Sequence, residues 1–244
     1  MKVTNTQRLL DLSSNGHISA KYQKIDTLTI VEQLGLDVNT ARLNTSAEST
    51  KHHLTFDLKD LPQTYIGGDL VSPTLHLFNS YNADGALMIA FGLLRAVCAN
   101  GLIAGTSIFN ARAIHVKGPK IEYLMASFAD QIKTALQEEN IERYYTQIDE
   151  LDRVRCNRTD IERILDDMKL PARAYNDSLY RFENPRREAD IGSSAWLAYN
   201  RVQEVIAHHK RGDRGISDNK KLMQVFLDNT VKKQVKFYPK LKAV

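Results

Sequence analysis

Apolar and polar residues alternate over residues 52–59, which is the pattern of a β-strand with one buried face. The alternation returns over residues 73–81, and residues 86–97 form a run that is apolar on both faces. Turn-forming residues at positions 82–85 separate these two runs and favour a strand over a buried helix for the second one. The pattern of residues 102–118 predicts a further strand.

The spacing of apolar residues becomes helical in the second half of the chain. Seven apolar side chains between Ile121 and Leu136 recur at every third or fourth position, which predicts a helix that continues toward Leu151. The sequence TDIE at residues 159–162 is interpreted as a capping box, in which the threonine starts the next helix and Pro171 ends it.

Two more helices are expected after a loop over residues 172–192. One is predicted over residues 195–210, with Ser193 or Ser194 as its cap. A short basic helix is predicted over residues 217–229.

Three shorter stretches precede or interrupt the predicted strands. Residues 27–35 have the pattern of a short helix that Gly35 closes, residues 38–51 are polar and predicted as a loop, and residues 62–69 are predicted as a turn.

The order of the elements predicts the fold class. Strands gather at about 52–117 and helices at 120–230, and this segregation indicates an α+β fold with helices packed on an antiparallel sheet. We expect one α+β domain over residues 1–244, of which residues 212–244 form a basic C-terminal helix and tail.

Charge is unevenly distributed along the chain. Residues 200–244 hold eleven Lys and Arg against four Asp and Glu, a net +7, so residues 1–199 carry −3 of the formal total of +4. A basic end on an acidic body indicates an anionic partner for that end. The alternative is a solvated tail that keeps the protein in solution.

The composition favours a cytoplasmic protein without a membrane segment. Hydrophobic residues make up 43% and charged residues 25% of the chain, which is ordinary for a globular protein. No apolar run approaches the roughly 20 residues that a membrane helix needs. The first residues lack the pattern of a secretory signal, and the two cysteines, Cys98 and Cys156, form no CxxC pair.

Several kinds of chemistry lack their sequence pattern. The seven histidines have no i, i+4 pair on one helix, the chain has no GxxxxGK[ST] or GxSxG motif, and its acids concentrate on predicted helix surfaces. We therefore expect no metal, no cofactor and no catalytic residue, although a nuclease whose carboxylates come together on folding stays an alternative.

The segment from Arg95 to Gly101 interrupts an apolar run with polar residues. We interpret Asn100 and Gly101 as a hairpin turn and Cys98 as a buried structural residue, because its apolar neighbours raise rather than lower a thiol pKa. An arginine in an apolar run must be paired. Arg95 is expected to pair with an acid or with Asn79 across the sheet, or else to contact a phosphate.

Nucleic-acid binding is the remaining candidate, because it needs a cationic track for phosphates and flat side chains for bases. Basic and aromatic residues alternate in the tail, and Tyr238, Phe237 or Tyr81 could stack on bases, whereas Phe78 and Phe109 are interpreted as core. The predicted contacts are Arg95, Arg112, Lys117, Lys120, Lys210, Arg211, Arg214, Lys232, Lys233, Lys236, Tyr238 and Lys240.

Two signatures resemble the phage/plasmid-like protein family, whose function is unknown. The first combines an Asn-Ser-Tyr turn with an Arg-x-x-Cys-x-Asn-Gly motif, here Asn79, Ser80, Tyr81, Asp84, Gly85, Arg95, Cys98, Asn100 and Gly101. The second is Trp196, Tyr199, Val202, Glu204, His208 and His209. The resemblance implies a role in replication, recombination or transcription of viral DNA in a bacterial host.

Charge, aromatic residues and this resemblance together lead to one functional hypothesis. We expect a phage-encoded, non-enzymatic single-stranded DNA-binding protein that supports viral transcription, by recruiting a phage RNA polymerase, or acts with a recombination protein. An oligomer is compatible with the sequence. The first alternative is a protein-interaction factor that recruits or inhibits a host or phage enzyme, and the second is the metal-dependent nuclease.

Overall fold

The computed structural model describes most of the chain. The described residues are 4–12, 20–45, 50–82, 85–95, 110–115, 126–127, 130–134, 136–209 and 213–230, and within them the side chains of 94, 110–111, 207–209 and 213–220 are not described. The predicted turn at Asn100 and Gly101 and the tail after residue 230 lie outside this part of the chain.

The described strands form one antiparallel sheet. They are β1 (Arg42–Thr45), β2 (Lys51–Asp57), β3 (Thr64–Ile66), β4 (Asp69–Ser80), β5 (Leu87–Arg95) and β6 (Asn110–Ala113). Their order is β1-β2-β4-β5-β6, and β3 pairs with the first part of β4. Together with the helices, this sheet confirms the predicted α+β class.

The described helices are mostly in the second half of the chain. They are α1 (Asn5–Leu10), α2 (Thr27–Gln33), α3 (Glu138–Arg153), α4 (Arg158–Met168), α5 (Ala172–Glu183), α6 (Ala195–His209) and α7 (Asp213–Asn229). Residues 126–127 and 130–134 are also helical, and short 3-10 turns cover Val38–Thr40 and Glu188–Asp190.

Alternation in the sequence explains the pairing of β2 with β4. Leu54 lies opposite Leu77 and Phe56 opposite Leu75, and all four side chains are buried. Because side chains alternate between the two faces of a strand, these apolar pairs mark one face and fix the register.

Two strands were missed because their sequences are polar or short. Residues 42–45 fall in the predicted loop but form β1, which pairs with β2 from Arg42 opposite Thr55 to Thr45 opposite His52. Thr64–Ile66, predicted as part of a turn, form β3, and the turn itself is Gly67 and Gly68, both with positive φ. Edge strands need few apolar side chains, so their pattern is weak.

The helix predicted from Ile121 toward Leu151 is not continuous. Leu136 and Gln137 are not helical, and α3 begins at Glu138. Apolar residues on both sides of the break keep a helical spacing, which is why the pattern alone did not reveal it.

The predicted capping box is displaced by two residues. Asn157 accepts from the Asp160 backbone N–H and Asp160 accepts from that of Asn157, both at 3.1 Å, whereas Thr159 and Glu162 were expected in these roles. Both sites satisfy the same spacing rule, since either has a side-chain acceptor three residues before an acid.

The loop predicted over residues 172–192 contains helix α5. Pro171, expected only to end the preceding helix, is the N-cap of α5, where its fixed φ suits the entry to a helix. The serine cap of α6 is confirmed, because Ser194 Oγ accepts from the Leu197 N–H at 3.2 Å.

Contacts divide the chain into two compact units. The first comprises Met1–Leu61, Pro73–Gly92 and Phe109–Glu138, and the second comprises Pro62–Ser72, Leu93–Ile108 and Glu139–Val244. Strands β4 and β5 each contribute residues to both units. The single domain expected from the sequence stays a prediction.

Each unit has its own core. In the first unit, Ile30, Val31, Leu54, Leu75 and Leu77 are buried. In the second, α5 packs on α6 and α7 packs on both α4 and α6, which buries Ile161, Ile164, Leu165, Trp196, Tyr199 and Phe226.

Candidate nucleic-acid interface

The structure describes the side chains of two predicted nucleic-acid contacts. Arg112 is exposed on β6, and Arg95 is buried at the end of β5. Arg214 lies in α7, and its side chain is not described. The other predicted contacts lie outside the described residues: Lys117, Lys120, Lys210, Arg211, Lys232, Lys233, Lys236, Tyr238 and Lys240.

Arg95 adopts the paired alternative. Its guanidinium donates to the carboxylates of Asp69 and Asp190 and, at 2.9 Å, to the carbonyl oxygen of Ala189. The side chain has no exposed surface. A phosphate contact by Arg95 does not fit this burial, and this part of the predicted interface is corrected.

The ion pairs of Arg95 extend into a buried network of the second unit. Asp190 also accepts from Arg187 at 3.3 Å, and Arg187 lies 3.4 Å from Glu204. Glu204 is buried and also meets Arg186, whose side chain is 63% exposed, at 3.2 Å. The network joins β4, β5, the Glu188–Asp190 turn and α6, so its role is to hold the second unit together.

Arg201 is one of the eleven cations counted in the basic segment, and it also points inward. It donates to the carbonyl oxygens of Asp190 at 2.8 Å and Phe182 at 2.9 Å, and to that of Gly192. Burial lowers the Arg201 pKa. This cation therefore does not belong to a phosphate-binding surface.

The Asn-Ser-Tyr signature holds the start of α2 in the first unit. Asn79 Nδ2 donates to the Ile25 carbonyl and to Thr27 Oγ1, both at 2.9 Å. The Tyr81 hydroxyl accepts from the Thr27 N–H at 3.2 Å and donates to Asp26 Oδ1 at 3.3 Å. Tyr81 is 1% exposed, so its predicted stacking on a base is also corrected.

The described side chains of the second signature are buried in α6. Trp196, Tyr199 and Val202 are fully buried, and Trp196 stacks on Tyr199 with ring centroids 5.8 Å apart. Among the described residues of this helix, the buried polar atoms without a hydrogen-bond partner are Trp196 Nε1, Asn200 Oδ1, both amide atoms of Gln203, and Glu204 Oε2. These residues are spaced along one side of α6, where the helix is buried despite its polar groups.

The second face of the sheet in the first unit is polar, in contrast to the apolar face that Leu54 and Leu77 mark. Residues opposite each other in register share a face. The surface that we call the polar face consists of Arg42 and Asn44 on β1, Lys51, His53, Thr55 and Asp57 on β2, and Thr74, His76, Phe78 and Ser80 on β4.

A stacked pair of rings lies in the middle of the polar face. The rings of His53 and Phe78 are 12° from parallel, and their centroids are 3.9 Å apart. Both side chains are half-buried, whereas His76 beside them is only 3% exposed. The interpretation of Phe78 as a core residue is therefore only partly right, because its side chain is half-buried.

Hydrogen bonds connect the two histidines of the polar face. His53 Nε2 lies 3.1 Å from His76 Nδ1, and His76 Nε2 lies 3.1 Å from Thr74 Oγ1. Burial, reinforced by the charge of Arg42, lowers the His53 pKa to about 4. Burial, His53 and Arg42 lower the His76 pKa to about 3. Both rings are neutral at pH 7.

Charged residues flank the ring pair on its own strands and at the sheet edge. Arg42 is 46% exposed and pairs with Asp57 at 2.9 Å, and Lys51 is exposed two residues before His53 on β2. Arg112 alternates with buried Ala113 and His115 on the other edge of the sheet. Arg42, Lys51 and Arg112 are positive, and Asp57 is negative and already pairs with Arg42.

The sequence contained part of the signal for this surface. The alternation of residues 52–59 identified a polar side of β2, but periodicity in one strand does not show which side chains of other strands lie beside it. The pairing of His53 with Phe78 depends on the register between β2 and β4, which are separated by β3 and two turns.

The described residues contain neither a metal-binding cluster nor a membrane helix. No three His, Cys, Asp or Glu side chains in this part of the chain come together as a metal site. No described helix has the length and apolar character to cross a bilayer. Cys156 is buried, and burial raises its pKa to about 12, which makes the thiol unreactive.

Comparison with known proteins gives a family without an assigned function. Residues 15–236 match the family model described as a domain of unknown function, DUF932. The UPF0380 protein YafZ of Escherichia coli strain K12 is 28% identical over 178 residues, which cover 62% of this chain and 58% of YafZ. The match thus spans somewhat more than half the length of that relative. No solved structure matches the chain.

Proposed function

The chain belongs to the DUF932 family, and from that premise we propose that it is a non-enzymatic, phage-encoded single-stranded DNA-binding protein. It supports viral transcription by recruiting a phage RNA polymerase, or it acts with a recombination protein in the bacterial cytoplasm. The motif Arg-x-x-Cys-x-Asn-Gly and the Trp196 signature, which resemble the phage/plasmid-like proteins, support the viral context.

The observation that carries the proposal is the separation of charge along the chain. The last 45 residues carry +7 and the preceding residues carry −3. Two of the eleven cations have internal roles, because Arg201 is buried and Lys221 Nζ donates to the Met168 carbonyl at 3.2 Å. Nine remain as candidates for phosphate contacts: Lys210, Arg211, Arg214, Lys220, Lys232, Lys233, Lys236, Lys240 and Lys242.

Binding without sequence readout fits this arrangement. Lysines and arginines that neutralise phosphates release counterions, which makes the affinity fall as salt rises. Phe237 and Tyr238 lie between Lys236 and Lys240 in sequence, so flat rings that could stack on bases are interleaved with the cations.

Fluorescence anisotropy of a labelled oligonucleotide, measured across a salt series, tests the proposal. We expect binding of a single strand that weakens with salt, and weaker binding of a duplex of the same length. The absence of salt-dependent binding at micromolar protein would reject DNA binding in favour of a protein-interaction factor. Cleavage of the oligonucleotide that depends on magnesium or manganese would instead identify a nuclease.

A further inference from the structure

The ring pair of the polar face lies beside β1, the first strand in the order of the described sheet. Phe78 stacks on one side of the His53 imidazole, at 3.9 Å. On the other side, the residue opposite His53 in register is Asn44 of β1, which is short and exposed. A flat group placed over Asn44 would continue the stack that Phe78 and His53 begin.

Two cations flank this position along the strand direction. Lys51 lies two residues before His53 on β2, and Arg42 lies opposite Thr55, two residues after His53. A strand rises about 3.4 Å per residue, so each cation is displaced by roughly 7 Å from the ring. Arg42 is 46% exposed although it pairs with Asp57, so a phosphate has access to its guanidinium.

Polar groups that can form hydrogen bonds with the edge of a nucleobase also lie at this position. The Asn44 side chain offers an amide donor and an acceptor, which is the pair that suits the edge of a nucleobase. His53 shares its Nε2 with His76 and Thr55, so its orientation is fixed by hydrogen bonds within the sheet. A fixed ring is a better stacking surface than a mobile one, because less side-chain entropy is lost on binding.

We infer that the polar face binds an unpaired nucleobase of single-stranded DNA, stacked on the His53 ring above Asn44, with Lys51 and Arg42 on the neighbouring phosphates. This inference rests on the proposed function and adds a site to it in the first unit, separate in sequence from the basic C-terminal segment. The base must be unpaired, because within a duplex both of its faces are already covered by neighbouring bases.

Affinity for two oligomers of equal charge tests this site. One is fluorescein-labelled oligothymidylate, and the other is an abasic phosphodiester of the same length, which has the phosphates without the bases. We expect the full chain to bind oligothymidylate more tightly. The His53→Ala variant should bind oligothymidylate about tenfold more weakly, and the Asn44→Ala variant a few fold more weakly. Both variants should bind the abasic oligomer with the affinity of the wild type.

Three controls separate stacking from charge and from misfolding. Tyr65→Ala removes an aromatic residue that is 73% exposed on β3, outside the polar face, and should leave both affinities unchanged. Lys51→Gln should weaken the binding of both oligomers and reduce the salt dependence of that binding, because it removes a positive charge. Photo-crosslinking of 5-iodouracil DNA to the wild-type chain, mapped by mass spectrometry, needs no variant and should label the peptide around His53.

The outcomes distinguish this site from the proposed function. If the wild-type chain binds neither oligomer, DNA binding itself is rejected, and this inference with it. If oligothymidylate binds but the His53 and Asn44 variants bind it like the wild type, and crosslinks map elsewhere, the site is rejected while the function stands.

Discussion

Arg95 shows how one buried side chain can connect distant parts of the second unit. It contacts Asp69, which precedes it by 26 residues, and Asp190, which follows it by 95. Taking a charge out of water is costly, so a buried arginine is stable only when carboxylates and carbonyls surround it. The arginine of the Arg-x-x-Cys-x-Asn-Gly motif therefore has a structural explanation that needs no ligand.

Removing this guanidinium should destabilise the protein strongly. Arg95→Met removes the guanidinium from the buried Asp69 and leaves Asp190 with the weaker Arg187 contact, so we expect a loss of about 3–5 kcal/mol in the free energy of unfolding, measured by urea denaturation. Arg173→Met is the matched control, because that side chain is 87% exposed outside the network and its loss should change stability by less than about 0.5 kcal/mol. Equal effects of the two variants would contradict the network.

The histidine pair predicts a pH dependence of stability. The pKa values of His53 and His76 are about 4 and about 3 in the folded protein, below the 6.5 of an unperturbed histidine. The unfolded chain therefore takes up protons first as pH falls. The stability that the neutral rings contribute is complete above about pH 6.5 and is lost as the pH falls toward these folded values.

The loss can be measured by urea denaturation at a series of pH values. Between pH 7 and pH 5 we expect each histidine to account for roughly 1–2 kcal/mol, because few carboxylates titrate in that range. His53→Gln and His76→Gln should each reduce the slope of stability against pH. A wild-type slope in both variants would show that other groups cause it.

At the scale of elements, the start of α4 distinguishes two caps that the sequence allows. The structure uses Asn157 and Asp160, so Asn157→Ala should cost about 1 kcal/mol of stability. Thr159→Ala, at the residue that the sequence pattern favoured, should change it by less than about 0.5 kcal/mol. Thermal melting followed by circular dichroism compares the two, and the reverse order would place the cap at Thr159.

Helix α6 contains buried polar atoms that have no hydrogen-bond partner among the described residues. Both amide atoms of Gln203 are buried without a hydrogen-bond partner among the described residues, which costs roughly 1–3 kcal/mol for such a group. Gln203→Met keeps the volume and removes the polar atoms, so it should raise the melting temperature. Gln224→Met on α7, where the residue is half-buried, is the control and should have little effect. A lower melting temperature for Gln203→Met would indicate that the amide has a partner.

At the scale of the whole molecule, the proposed function assigns DNA contacts to two regions of the chain. In this proposal, the cations of residues 210–244 contact phosphates, and the polar face contributes a ring that stacks on a base. Charge contacts respond to salt, whereas stacking does not, so the two contributions can be measured separately.

Removal of the tail tests the first contribution. A chain that stops after Asn229 or Thr230 lacks the five lysines of residues 231–244. The slope of log affinity against log salt for single-stranded DNA should fall by about 0.7 for each phosphate that the shortened chain no longer neutralises. A full-length variant with these five lysines replaced by glutamine should behave like the truncated chain, and replacement by arginine should keep the slope. An unchanged slope in the truncated chain would exclude the tail.

The sequence by itself determined the fold class and the central elements. Alternation at Leu54 and Phe56, the long apolar run of β5 and the serine before α6 are local signals, because each depends on neighbours within one element. The sequence also predicted that Arg95 has a partner, since an unpaired guanidinium is not stable in an apolar run. Competing local signals explain the misplaced cap of α4, and short polar strands such as β1 give almost no signal.

The tertiary structure alone decided which residues meet. Asp69 and Asp190 as the partners of Arg95, the inward turn of Arg201 and the stack of His53 on Phe78 all join residues far apart in sequence. Periodicity reports which face of an element is buried, but it carries no information on what that face packs against. Register and packing fix those contacts, and for this reason our proposal for a stacking residue is His53, which the sequence did not single out, and not Tyr81, which is buried.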